Sequence, residues 1–390
     1  MQLHKTLKAN QSMKKVLIHA GFPKTGSTSI QHFFYNNTFD NYQMVNLWPY
    51  VDKKNKRDVD KKNPSTPINF CFYPYDILER WKNVKKVPFG PSFVQDIKNL
   101  DKYRDYLKQK LIEDVGRLHD KKKISIISCE GLSCSNEPRV LENLKKFLTT
   151  NRYDYKIIFV IKTIPEFLSS YFSQYVEESF VFNSLSTEHM SQVFEFLMRQ
   201  QQYSIFDQIG IFDDNRLEFL PYNKNMVSDF IRYLNKNYSP IPSTILDNTK
   251  NLFINPSLTT ERIKILYLYS KLGNPLNLTT KQRIRLLHYL KTYFIVKNDF
   301  KPSLSRPFIN NFISKNINGI TRIQTKLKKE LIKYKVMPQK TVIHTVDQLN
   351  ELRRSSVDFL RHTTKAKNTQ NKNIEDLIVS FVKQICTDNV

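Results

Sequence analysis

Near the start of the chain, the residues best suited to chemistry are Lys24, Thr25, Ser27 and Thr28. They lie around Gly21 and Gly26 in the stretch VLIHAGFPKTGSTSIQHFF, from Val16 to Phe34. The apolar run before Gly21 reads as a buried strand, and the residues after Gly26 open a helix. A glycine-bounded turn at such a junction points successive backbone N–H groups inward. It also aims a helix N-terminus at whatever sits there, which favours a phosphate. The nucleotide triphosphatase loop, GxxxxGK[ST], places its lysine directly after the second glycine. Here Ser27 holds that position, and the lysine of the loop, Lys24, stands two residues before Gly26. The cation therefore reaches a bound phosphate from a different place.

The string PKTGSTSIQ resembles the 5′-phosphosulfate loop of the sulfotransferases, which reads PKxGTTxLQ or a near variant. These enzymes move a sulfuryl group from 3′-phosphoadenosine 5′-phosphosulfate (PAPS) to an acceptor. The likeness covers nine consecutive positions, with conservative changes at Ser27 and Ile30. It implies that Lys24, Thr25, Gly26, Ser27 and Thr28 bind the donor, with Lys24 also catalytic. Without the resemblance, the segment reads as a structural strand–turn–helix.

The same family holds the donor's 3′-phosphate with an arginine at the end of a later strand and a serine eight residues on. In this chain the apolar run Tyr155–Ile161 is followed by Lys162, and Ser170 lies at the required separation. Pro165 suits the first turn of the intervening helix, where its missing donor is harmless. The continuation SSYFSQYVE resembles the SxYNQYV run of bacterial members. Lysine replaces the family's arginine here: a guanidinium grips phosphate with two parallel hydrogen bonds, whereas an ammonium acts as a point charge.

A candidate base lies between the two motifs. Lys123–Cys129 reads as another buried strand, and the Ser128-Cys129-Glu130 that ends it resembles the SSE of many bacterial sulfotransferases. Ligands of open α/β sheets bind outside the carboxyl ends of the strands. A carboxylate there can accept the proton of an attacking hydroxyl. Glu130 is the expected catalytic base, with a helix-capping or loop role as the alternative. His19, near the end of the first strand, reads as a satisfied structural group, and His32 as a surface or interface residue.

At 390 residues with 40% hydrophobic content, the chain can bury a large core. It contains no uninterrupted run of the roughly 20 apolar residues that a membrane span requires. The first twelve residues, MQLHKTLKANQS, are too polar for a secretory leader. A cytoplasmic enzyme of bacterial or viral origin is expected. Four cysteines, in no zinc-binding spacing, imply neither a disulfide framework nor a metal. The net charge of +25 comes from 61 Lys and Arg against 36 Asp and Glu, spread along the whole chain. It accompanies abundant Asn and Ile and few glycines, a pattern of AT-rich coding, so no specific nucleic acid is expected as partner. A positive field would still draw in a polyanionic donor and an acidic glycan.

Apolar runs at Lys15–Ala20, Ile124–Cys129, Tyr155–Ile161 and Arg216–Leu220, with Tyr42–Leu47 as a further candidate, alternate with helical patterns. That alternation predicts an α/β fold with a parallel sheet. With the resemblance, the expectation becomes a three-layer P-loop-like fold: a central parallel sheet flanked by helices, plus a mostly helical C-terminal region. A sulfotransferase domain spans 14–300, since RLEFLPY, MVSDFIRYL and NPSL also resemble bacterial members. An insertion at 51–100 is expected as a lid or acceptor-binding segment. Its Phe70, Phe72, Tyr73, Tyr75 and Trp81 either stack on sugars or form core. Residues 301–390 form an extension of unassigned role. The family implies a hydroxyl acceptor, here a glycan. A P-loop kinase using ATP and a basic non-enzymatic binding protein are the rival readings.

Overall fold

The computed structural model of the chain describes residues 13–22, 25–47, 65–83, 99–130, 132, 137–181, 206, 209–223, 225–242, 245, 258, 260–271 and 276–292, with scattered positions from 310 to 383. Five strands form one parallel sheet: β1 (Lys15–His19), β2 (Tyr42–Met44), β3 (Ile124–Ser128), β4 (Asp154–Ile161) and β5 (Leu217–Pro221), in the order β2-β3-β1-β4-β5. The described helices are α1 (Ser27–Asn36), α2 (Ser65–Phe70), α3 (Tyr75–Asn83), α4 (Leu100–Asp120), α5 (Arg139–Thr150), α6 (Ile164–Val181), α7 (Met226–Asn237), α8 (Thr260–Lys271) and α9 (Thr280–Thr292). The expected α/β class and central parallel sheet are therefore present.

The central strands β1, β3 and β4 carry largely apolar runs because both of their faces are covered. On one face Leu17, Ile124, Ile126, Ile158 and Val160 meet Ile30, Phe33 and Phe34 of α1 and Val227, Phe230, Ile231 and Leu234 of α7 in one buried cluster. The alternate residues Val16, Ile18, Ile127, Ile157 and Phe159 are equally buried. Burying each such side chain contributes about 1.5–3 kcal/mol. Strand ends fall within a residue of expectation except at β2, which stops at Met44. Pairing nonetheless continues there, since the Val45 N–H donates to the Ile126 carbonyl at 2.9 Å. Asn99, whose side chain accepts from the Lys102 N–H, caps the start of α4.

The strand order fixes where a ligand can sit. From central β1 the chain runs outward to β2, returns to β3, then crosses to β4 and β5 on the other side. The connections after β1 and β4 leave in opposite directions, so the crevice between the carboxyl ends of these neighbours is the topological switch point.

The described part of the insertion contributes to the core. Ile68, Phe70, Cys71, Phe72 and Leu78 are fully buried, and the Phe72 carbonyl accepts from the Asn143 amide at 2.9 Å. For Phe70 and Phe72 the core alternative holds over sugar stacking, because their rings have no exposed face. Tyr75 is exposed, and the Trp81 side chain lies outside the described residues.

The chain forms two compact units. One comprises Met1–Ile161 with Ile205–Phe253 and carries the sheet; the other comprises Lys162–Ser204 with Ile254–Val390. In the second, α6 packs on α8 and α9. A buried ion pair joins Lys291 Nζ to Glu177 at 2.6 Å, and the Arg283 guanidinium donates to the Phe180 and Leu278 carbonyls. The expected mostly helical region over 301–390 lies outside the described residues apart from scattered positions between 310 and 383. Among the described residues no helix is long and apolar enough to cross a membrane.

Candidate functional site

The loop after β1 is pinned on its near side by the sheet. Pairing with β4 runs past His19: the Ala20 N–H donates to the Ile158 carbonyl (3.0 Å) and the Phe22 N–H to that of Val160 (3.2 Å). The buried Phe22 ring stands edge-on to Phe159 and Phe206, at 5.9 and 5.4 Å between centroids. Thr25 Oγ1 then donates to the Phe22 carbonyl at 2.6 Å. Pro23 and the predicted catalytic Lys24 themselves lie outside the described residues.

Gly26 has φ +87° and ψ 15°, a left-handed conformation that a side chain disfavours. A Cβ there would also sit 3.4 Å from that of Met226. Directly after it α1 begins, and its first hydrogen bond runs from the Ile30 N–H to the Gly26 carbonyl at 3.0 Å. No side chain caps this end and no acidic residue stands in the first turn. The first-turn N–H groups, including those of Ser27 and the half-buried Thr28, therefore have no intrahelical acceptor, and the positive end of the helix dipole is uncompensated.

Beneath the loop lies a small buried polar cluster. A Cβ on Gly21 would fall 2.7 Å from Ser27 Oγ and 3.0 Å from both His19 Nε2 and Thr25 Oγ1, so three polar atoms converge on this bare α-carbon. His19 and Ser128 are register partners of β1 and β3, and His19 Nδ1 lies 2.8 Å from Ser128 Oγ. The Gln31 amide of α1 donates to Ser128 Oγ at 3.2 Å and to the Ser128 carbonyl at 3.5 Å. The imidazole stands edge-on to Phe230, 5.3 Å away. Its complete burial lowers its pKa from 6.5 to about 3, so it is neutral at ordinary pH.

Two atoms of this cluster, His19 Nε2 and Ser27 Oγ, are buried without a hydrogen-bond partner. Leaving such a group unsatisfied costs about 1–3 kcal/mol, and in a native protein it calls for an explanation. The expectation that His19 is a satisfied structural residue holds for Nδ1 and fails for Nε2.

Glu130, the expected base, is half-buried in the turn after β3. The Cys129 N–H before it donates to the His19 carbonyl at 2.9 Å, which ties this turn to the end of β1. Glu130 and the loop therefore share one carboxyl edge of the sheet.

Lys162 and Ser170 belong to the second unit, where they touch. The Lys162 ammonium, 4% exposed, donates to Ser170 Oγ at 3.1 Å. Between them α6 opens after Thr163, whose N–H and hydroxyl both donate to the Glu166 carboxylate (3.4 and 2.7 Å). Pro165 occupies the first turn, as its fixed φ suits.

Sequence reading missed Gly21, Gln31 and Ser128 as parts of the site. A faint signal exists, since His19 and Ser128 each end an otherwise apolar strand. The fold and this cluster define an α/β protein with an anion-seeking helix terminus at its switch point. Comparison of the chain with protein-family models, curated proteins and solved structures finds no match.

Proposed function

We propose that the chain is a sulfotransferase, transferring a sulfuryl group from PAPS to an acceptor hydroxyl on a glycan. The observation that carries this reading is the uncapped start of α1 behind a left-handed Gly26, with the unpartnered Ser27 hydroxyl beneath it. A helix terminus of this kind suits a phosphate, and the family-like string PKTGSTSIQ forms it. The finer reading of the fold as P-loop-like draws support from the strand order and from the loop's place after central β1.

The residues present fit the donor. The first-turn amides, Ser27 and Thr28 would hold its 5′-phosphate, while Thr25, whose hydroxyl is engaged with Phe22, keeps the turn shut. Lys162 and Ser170 would hold the 3′-phosphate. Lys24 is assigned to the oxygen bridging phosphorus and sulfur. Negative charge grows on that oxygen as its bond to sulfur breaks, so a fixed cation stabilises the transition state more than the ground state. Glu130 takes the proton of the acceptor hydroxyl as its oxygen bonds to sulfur, and adenosine 3′,5′-bisphosphate departs.

Thermal melting with two ligands, together with transfer assays, tests the proposal. Adenosine 3′,5′-bisphosphate without magnesium should raise the melting temperature, and labelled sulfate from PAPS should reach a glycan acceptor. A response confined to ATP with magnesium would overturn it in favour of a kinase.

A further inference from the structure

We infer that His19 is a positioning residue for the anion seat: Gln31, Ser128 and His19 form a one-way chain of hydrogen-bond donors ending beside Ser27, and closing it on Ser27 Oγ when an oxyanion binds directs the serine hydroxyl proton at that ligand. The inference rests on the reading of the loop as the seat of the donor's 5′-phosphate.

The direction of the chain follows from what each group can donate. A carbonyl oxygen only accepts, so the Gln31 group facing the Ser128 carbonyl is its NH₂, and that same NH₂ donates to Ser128 Oγ. Among the described residues Ser128 Oγ makes one other hydrogen bond, to His19 Nδ1. Its single proton goes there, which makes Nδ1 the acceptor and leaves the ring's proton on Nε2. A neutral imidazole suits this position, because it accepts on one side and donates on the other.

The Nε2–H so defined has no partner, and neither does Ser27 Oγ. Both atoms lie against the same face of Gly21, within 3.0 Å of where its Cβ would be. The absence of a side chain at that position is what lets them approach. A small shift that let Nε2–H donate to Ser27 Oγ would satisfy both and occupy one lone pair of the serine. The serine proton is then free for the ligand. Phosphoryl and sulfuryl oxygens only accept, so every group touching them must donate. Each donation along the chain also polarises the next.

The tautomer is the first test. Nitrogen-15 NMR of the full chain should show His19 protonated at Nε2 and bare at Nδ1. Adding adenosine 3′,5′-bisphosphate should shift the Nε2–H resonance. Protonation at Nδ1 would overturn the inference.

Three variants supply the second test, with adenosine 3′,5′-bisphosphate affinity read by calorimetry. His19→Gln keeps a donor near the Nε2 position, His19→Asn keeps only a partner for Ser128, and His19→Phe keeps only the contact with Phe230. The Gln variant should bind within about threefold of the parent, and the other two about fivefold to tenfold more weakly, the worth of one neutral hydrogen bond. Combining His19→Phe with Ser27→Ala should weaken binding no further than Ser27→Ala alone. Equal losses in all three variants, or additive losses in the double variant, would overturn the inference. If the parent binds inorganic pyrophosphate but not adenosine 3′,5′-bisphosphate, the donor assignment fails, and the same ranking measured with pyrophosphate still decides the role of His19.

Discussion

The polar groups after β1 and those after β4 are treated in opposite ways. Around the first loop, His19 Nε2 and Ser27 Oγ are withdrawn from water and left unpartnered, above a network that fixes everything beneath them. At the second, the Lys162 ammonium is buried but already bound to Ser170. An unsatisfied buried donor stores free energy that a ligand releases. A self-paired cation must first exchange its serine for the ligand, so its gain is smaller. Under the proposed function, the first loop would gain more from an anion than the lysine–serine pair would.

The strongest way to break this contrast is Lys24→Ala. The expected outcome is a loss of sulfuryl transfer by roughly 10²–10³ with the melting temperature unchanged, as for other charge-stabilising groups. Undiminished transfer would remove the loop from catalysis. Next comes Lys162→Ala, measured with two nucleotides. Affinity for adenosine 3′,5′-bisphosphate should fall roughly tenfold to a hundredfold, the worth of one charge-assisted hydrogen bond. Affinity for adenosine 5′-monophosphate should not change. Lys162→Arg should tighten the first and leave the second alone.

Gly26→Ala sharpens the comparison on the stability side. Its left-handed backbone should make the variant less stable to urea by about 1–2 kcal/mol, with anion binding weakened alongside. A further test concerns pH. The folded pKa of His19 is lowered to about 3 from 6.5, so the unfolded chain binds the extra proton between these values. The contribution of this group is fully present above pH 6.5 and declines by about 1.4 kcal/mol per pH unit as pH falls toward 3. His19→Phe should flatten that part of the acid limb in urea titrations from pH 7 to 4. An unchanged slope would mean that His19 is not buried neutral.

Much of the fold was legible because its signals are local. β1, β3 and β4 each carry a dominant apolar run, as strands covered on both faces do, and α6 carries its cap in Thr163 and Glu166. The turn before α1 was legible for the same reason, since a glycine with positive φ and a helix start are neighbours in sequence. β2 was harder to delimit, because three residues of ladder leave little pattern. The insertion stayed ambiguous because Phe70 and Phe72 suit a sugar-stacking surface as well as a core, and only burial separates the two.

The sequence by itself determined the strand–loop–helix at Val16–Phe34, the eight-residue spacing of Lys162 and Ser170, and the placing of Glu130 at a strand end. All of these depend on residues within a few turns of one another. Tertiary structure alone decided what lies beneath the loop. Ser128 is 109 residues from His19 and 97 from Gln31, and they meet because β3 pairs beside β1 in a register that sets His19 opposite Ser128. Strand register is a property of the assembled sheet. The same register gives a histidine that reads as ordinary core one satisfied nitrogen and one held in reserve.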